Sequence, residues 1–105
     1  PEIDFERLEQ IKELVDVPLV FHGGSFSGFD NIAKCCQIGC QKVNMGTDAY
    51  NYGLQLLMED GRYQQGENIG ARMAGNIMWE GYKERVKDYM RCTGSVDKNW
   101  LKITE

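Results

Sequence analysis

The 105 residues carry 16 acidic and 12 basic side chains, for a net charge of −4 at pH 7, and can build one modest core at most. Acids and bases are interspersed, so no basic stripe exists to release counterions from a phosphate backbone, which argues against nucleic acid. No apolar run approaches the ~20 residues that cross a bilayer, which argues against a membrane.

The chain opens PEIDFERL, with no initiator methionine and no signal-peptide pattern of basic head, apolar middle and small-residue cleavage site. It reads as a piece cut from something longer. Ile3, Phe5, Leu8, Ile11, Leu14 and Val15 fall near a 3-4 spacing, which predicts an amphipathic helix over residues 3–15. Asp16 and Pro18 end it. The run VPLVF, residues 17–21, is then short, continuous and apolar, as in parallel strands buried on both faces. After the Gly23-Gly24-Ser25 loop, Asp30 or Asn31 can cap a helix through Ile38, closed by Gly39, before CQKVNM (residues 40–45) forms a second strand.

Thr47 or Asp48 can cap the next helix, which runs through Tyr52, Leu56 and Leu57 until Asp60-Gly61 stops it. A turn, GRYQQG, leads to a long helix from Glu67 to Arg91, with an apolar stripe of Ile69, Met73, Ile77, Val86 and Met90 facing the core. Its glycines Gly70, Gly75 and Gly81 each lower helix propensity by roughly 1 kcal/mol against alanine, a cost offset where they admit a close helix. GSVDKNWLKITE reads as a polar tail anchored by Trp100. No repeat, low-complexity tract or linker divides the chain, so residues 1–105 read as part of one α/β domain.

Cys35, Cys36 and Cys40 crowd a stretch read as helix then strand, and Cys92 lies far off; a reducing cytosol is the expected compartment. A zinc site built from them and His22 is disfavoured because C-C-x3-C lacks the usual C-x2-C knuckle. Small thiols packed as apolar residues are expected instead.

Parallel strands joined by helices gather ligand chemistry at their carboxyl ends, where helix N-termini leave N–H groups unpaired. HGGS (residues 22–25) and NMGTD (residues 44–48) both sit at such ends. Gly23 and Gly24 let backbone approach a ligand, Ser25 offers a hydroxyl, and Gly46 and Thr47 repeat the arrangement on the neighbouring strand. Together they predict a phosphate cradle of the kind that follows the last two strands of eight-stranded barrels. His22 stands at its rim, where an imidazole either closes a strand or serves a metal or a proton. Asn44 either caps the turn or reaches the ligand.

With these motifs in view, the chain resembles the class II, metal-dependent ketose-bisphosphate aldolases, which include fructose-bisphosphate and tagatose-bisphosphate aldolases. PLVFHGGS is similar to that family's seventh strand and loop, GCQKVNMGTD to its eighth strand and turn, and YKERVKDYMRCTGS to its C-terminal helix and Gly-Ser motif. The resemblance implies a (β/α)8 TIM barrel of which this chain is the C-terminal portion, carrying the last two strands, their helices and the terminal helices. It implies that His22 is one of three histidine ligands of a catalytic zinc, the other two lying outside this chain. Gly23 and Ser25 then match positions serving the dihydroxyacetone phosphate half and a nearby monovalent cation, with Gly24 between them in the same loop. Asn44 matches a residue contacting that half during catalysis, and Gly46 and Thr47 match the phosphate-binding turn.

The implied reaction is cleavage of a ketose 1,6-bisphosphate to dihydroxyacetone phosphate and glyceraldehyde 3-phosphate, or the reverse condensation, by a cytoplasmic enzyme that is a dimer or tetramer when complete. A metal suits such chemistry as a Lewis acid for the negative charge that develops on the ketone side. The sequence departs from the family pattern in three places. Phe26 follows Ser25 where glycine is usual, which restricts left-handed backbone there; Gly46 replaces alanine or aspartate; and GSVDKNW replaces G-S-A-G-K. Two other readings stand beside this one: a non-catalytic barrel remnant serving as an interaction or assembly module, and a different phosphate-binding barrel enzyme that works without metal.

Overall fold

The computed structural model describes residues 2–98. Helix α1 (Phe5–Leu14) starts where Asp4 accepts a hydrogen bond from the Arg7 N–H at 2.8 Å, and the chain then turns extended at Val15. Strand β1 (Leu19–Phe21) lies parallel to β2 (Cys40–Val43), with Leu19 opposite Cys40, Val20 opposite Lys42 and Phe21 opposite Val43. The register slips between Leu19 and Val20. Both strands are shorter than expected, and β1 is not buried on both faces: Leu19 and Phe21 are half-buried while Val20 is exposed.

Between the strands, α2 (Phe29–Ile38) supplies the crossover that parallel neighbours require. Neither Asp30 nor Asn31 caps it. The helix begins one residue after Gly28, and the Asn31 amide instead reaches back to the Ser27 carbonyl at 2.8 Å. Gly39 ends it, its N–H donating to the Cys35 carbonyl. Helix α3 (Thr47–Glu59) takes Gly46 as its cap position, so Thr47 and Asp48 fall in its first turn. GRYQQG is more than a turn, because Asp60 accepts from the Arg62 and Tyr63 N–H groups and winds a short helix, α4 (Gly61–Gln64). Helix α5 (Gly70–Cys92) starts three residues later than expected and ends one later. The Trp100 anchor lies outside the described residues.

The interior is small. Ile32, Cys35, Cys40, Ala49, Leu57 and Tyr89 are its buried apolar side chains, and Cys36 and Cys92 are half-buried. All four cysteines are free thiols, pushed above their usual pKa chiefly by burial, so they pack as small apolar groups. The α5 stripe is only partly covered in these residues: Ile69, Ile77 and Val86 are half-buried, Met73 and Met90 are exposed, and the buried positions of α5 shift to Gly81 and Tyr89.

That shift has a steric cause, for α3 and α5 make the most extensive helix contact in the chain and cross at glycines. A Cβ on Gly81 would sit 2.8 Å from the Gly53 Cα and 2.9 Å from Leu56 Cδ1, and one on Gly53 would run into the Met78 carbonyl oxygen. The backbones therefore touch, and α5 turns its Gly81–Tyr89 face inward.

The whole is a slab of 57 × 46 × 16 Å with a radius of gyration of 17.8 Å, where a compact domain of this length has about 13 Å. Large apolar side chains stay uncovered on it, among them Leu14 at 84% exposure and Val17 at 57%. Among the described residues no helix is long and apolar enough to cross a membrane.

In the full-length protein, Gly53→Ala and Gly81→Ala should each cost about 1–3 kcal/mol through overpacking. Gly75→Ala, where a Cβ meets nothing within 4 Å, should be neutral or stabilise by up to about 1 kcal/mol. Thermal melts of the three variants check this, and equal losses at all three would show that these glycines weaken helices instead of admitting a neighbour.

Candidate functional site

The two strands end side by side, and the ladder runs on into both loops. The Asn44 N–H donates to the Phe21 carbonyl at 2.8 Å and the Gly24 N–H to the Asn44 carbonyl at 2.9 Å. Gly24 is buried in that seam, where a Cβ would lie 3.0 Å from both the Asn44 oxygen and Val43 Cγ1. It spaces the loops and does not line the site. Gly23, at φ +72°, makes the turn that precedes it.

Ser25 supplies the next link. Its Oγ accepts from the Gly46 N–H at 3.3 Å and the Asp48 N–H at 3.1 Å, so a residue of the first loop caps the helix that follows the second. This explains why neither Thr47 nor Asp48 caps α3. A hydroxyl has two acceptor sites and one proton; with both acceptor sites filled, the Ser25 O–H is left to donate. The helix dipole behind it favours negative charge at the same place.

An open cavity of about 350 Å³ lies over this junction, lined by Gly23, Ser25, Phe26, Asn44, Met45, Gly46 and Thr47. Five of the residues expected in a cradle are thus brought together: Gly23, Ser25, Asn44, Gly46 and Thr47. A Cβ on Gly46 would meet nothing within 4 Å, so that position has room for a side chain. His22 is exposed just outside the lining, its Nδ1 held 3.1 Å from Asn44 Nδ2.

Behind the cradle is a buried network that the sequence motifs do not announce. The Tyr89 hydroxyl donates to Asp48 Oδ2 at 2.8 Å and lies 3.5 Å from the Gly24 carbonyl. Arg85 approaches the same carboxylate, Nε to Oδ2 3.6 Å, with its guanidinium 4.1 Å from the Tyr52 ring centroid. Phe29 meets Tyr89 edge-on at 5.1 Å. Burial first, and then the bond to Asp48, push the Tyr89 phenol well above its usual range, so it remains a donor. Arg85 and Tyr89 are four apart on α5 and share a face; that this face meets Asp48 depends on the glycine crossing.

Phe26 adopts the left-handed backbone that its bulk disfavours, at φ +65°, a cost of roughly 1–2 kcal/mol for a residue with a Cβ. Its ring is 62% exposed. It lines both the cradle and a neighbouring cavity of about 310 Å³ shared with Gly28, Phe29, Asp48, Arg85 and Tyr89.

Among the described residues no three His, Cys, Asp or Glu side chains converge as a metal cage, so this chain can offer a metal one imidazole. His22 fits that role: it is exposed at a strand end, and its partner is an amide that can serve either nitrogen state. With the Asn44 amide turned through 180°, Oδ1 accepts from Nδ1–H and leaves Nε2 as the free lone-pair donor.

The family model described as class-II fructose-bisphosphate aldolase matches residues 1–98. A sulfofructosephosphate aldolase from Alkalicoccus urumqiensis is 30% identical over 103 residues, covering 93% of this chain and 34% of the relative. The chain therefore spans about a third of the length of that curated relative.

Two outcomes follow from the junction. Ser25→Ala leaves the Gly46 and Asp48 amides without their cap and should destabilise the full-length protein by about 1 kcal/mol, with faster hydrogen exchange at those two amides. Tyr89→Phe removes the bond to Asp48 and should cost about 1–3 kcal/mol near neutral pH. Because the folded-state phenol pKa is raised, its contribution is complete below the unfolded value of about 10 and is lost as pH climbs above it. Melting temperatures of wild type and Tyr89→Phe should therefore keep their gap up to about pH 10 and converge only above it; a gap that stays constant above that pH would detach the phenol from the network.

Proposed function

The chain belongs to the class II fructose-bisphosphate aldolase family, and from that premise we propose that it is the C-terminal portion of a (β/α)8 barrel in a zinc-dependent aldolase. The substrate is a ketose 1,6-bisphosphate, cleaved to dihydroxyacetone phosphate and glyceraldehyde 3-phosphate or assembled from them. The observation that carries this reading is the cavity at the carboxyl ends of two adjacent parallel strands, where a serine of one loop caps the helix of the other. The slab shape and its uncovered apolar faces support a place within a larger barrel.

In this reading the phosphate of the dihydroxyacetone phosphate half sits over the N-terminus of α3. The Ser25 hydroxyl donates to it, and the backbone at Gly23, Gly46 and Thr47 approaches closely enough to hold it, while Gly24 fixes the loop separation. The phosphate anchor keeps the reacting carbons aligned, which converts loose encounter into oriented contact. Asn44 has two duties: it orients the His22 imidazole and presents its amide to the ketone end of the substrate. His22 holds the zinc with two ligands from elsewhere in the barrel. When bound, zinc supplies Lewis-acid stabilisation of the charge that develops as the carbon–carbon bond breaks. A monovalent cation near Gly23 and Ser25 belongs to the same proposal.

The relative from Alkalicoccus urumqiensis is also named for a sugar phosphate, which fits a site that reads the phosphate end. The exposed rings of Tyr50 and Trp79, packed on half-buried Tyr82 where α3 meets α5, support a homo-oligomer, and the free thiols support a cytoplasmic enzyme.

In the complete enzyme, His22→Ala should strip the zinc and abolish cleavage. Asn44→Ala should keep fold and metal while turnover falls by about 10²-fold or more, in line with the loss of one group acting on developing charge. Metal content by mass spectrometry, read beside a coupled aldolase assay, checks both; full zinc occupancy with normal turnover in His22→Ala would remove that residue from the site. The 105-residue chain by itself should show no aldolase activity. Activity in it would overturn the partial-barrel reading, and inactivity of the complete protein on every ketose phosphate would favour an assembly module.

A further inference from the structure

We propose that Phe26 is a substrate-reading residue, its ring forming the apolar wall against which the phosphate-bearing carbon of a sugar phosphate packs. The cradle then selects a phosphate monoester over inorganic phosphate. This rests on the phosphate-binding reading above and goes beyond it by assigning selectivity to one side chain.

Phe26 is held where the fold alone would not hold it. Its φ of +65° belongs to the region that favours glycine, and its ring is 62% exposed, so neither backbone preference nor core packing accounts for a phenylalanine there. A glycine would relax both. Strain of this kind concentrates at ligand sites, where the surrounding contacts make use of it.

The surroundings show what the ring can do. The donors of the cradle, the Ser25 hydroxyl and the backbone that opens α3, lie at the junction of the two loops. Phe26 and Met45 are the apolar side chains of the same cavity. A phosphate turns its oxygens toward the donors, and in a monoester one oxygen carries carbon. That carbon gains from an apolar neighbour, whereas the fourth oxygen of inorganic phosphate gains nothing and loses water. Phe26 also lines the neighbouring cavity with Asp48 and Arg85, so it is shared by the two spaces.

The test is calorimetric titration of the complete enzyme with glycerol 3-phosphate and with inorganic phosphate, for wild type, Phe26→Gly and Phe26→Leu. Phe26→Gly should melt at a higher temperature yet bind glycerol 3-phosphate about fourfold more weakly, the equivalent of about one buried methylene. Its affinity for inorganic phosphate should change less than about twofold on the same scale. Phe26→Leu, which keeps an apolar wall, should hold glycerol 3-phosphate within about twofold of wild type. An unchanged ratio of the two affinities in Phe26→Gly overturns the role of Phe26 while leaving the cradle intact. Failure of wild type to bind either ligand overturns the cradle itself, and the inference with it.

Discussion

The N-terminus of α3 is held from two sides through one residue, and the candidate site depends on that double hold. The Asp48 N–H is bound by Ser25 Oγ of the preceding strand's loop, and the Asp48 carboxylate is bound by the Tyr89 hydroxyl of α5. Backbone and side chain of a single position thus join three segments that are far apart in the chain. Helix α3 is capped by tertiary structure in place of a local side chain, and the cap is also the floor of the cavity. A disturbance at either bond moves the helix end that would meet an anion, so local stability and ligand geometry are the same property here.

What places Tyr89 within reach is the glycine crossing further along α3 and α5. Gly53 and Gly81 bring the backbones into contact, and eight residues beyond Gly81 the helix delivers Tyr89 to the rear of the site. Leucine-sized residues at the crossing would move the axes apart toward the usual 8–10 Å or more, and the phenol would fall short of Asp48. Arg85, one turn before Tyr89, lies over Tyr52 of α3 and closes the same gap from the side. The long helix acts as a brace whose near end sets packing and whose far end sets the site.

The polar site and the exposed slab follow from one geometry. Two short parallel strands leave unpaired edges and one uncovered face, which in isolation is a poor arrangement for a soluble chain. The same strands put two helix-opening loops next to each other at their carboxyl ends, an arrangement suited to an anion. In a closed barrel the first feature disappears and the second remains.

Much of this was legible in the residues. The alternation of helix and strand follows from periodicity and from Pro18, Gly39 and Gly61 as breaks; the pairing of HGGS with NMGTD follows from both lying at strand ends; and packed, unbridged thiols follow from the cysteine spacing. Local chemistry decides these matters, and the sequence displays local chemistry. The helix caps, the left-handed Phe26, the seam position of Gly24 and the inward face of α5 were decided by tertiary structure. Asp30, Asn31, Thr47 and Asp48 all have capping side chains, yet α2 opens after a glycine with the Asn31 amide donating to the Ser27 carbonyl, and α3 takes its cap from Ser25 of the neighbouring strand's loop. The apolar stripe of α5 suggested a core face, and Ile69, Ile77 and Val86 are indeed half-buried, but the closest approach to α3 is made at Gly53 and Gly81. Sequence by itself fixed the order of elements and the two loops that carry the site. Only the packing of α5 on α3 determined how those loops are braced, since contact between backbones depends on where side chains are absent, and the periodicity of apolar residues does not record absence.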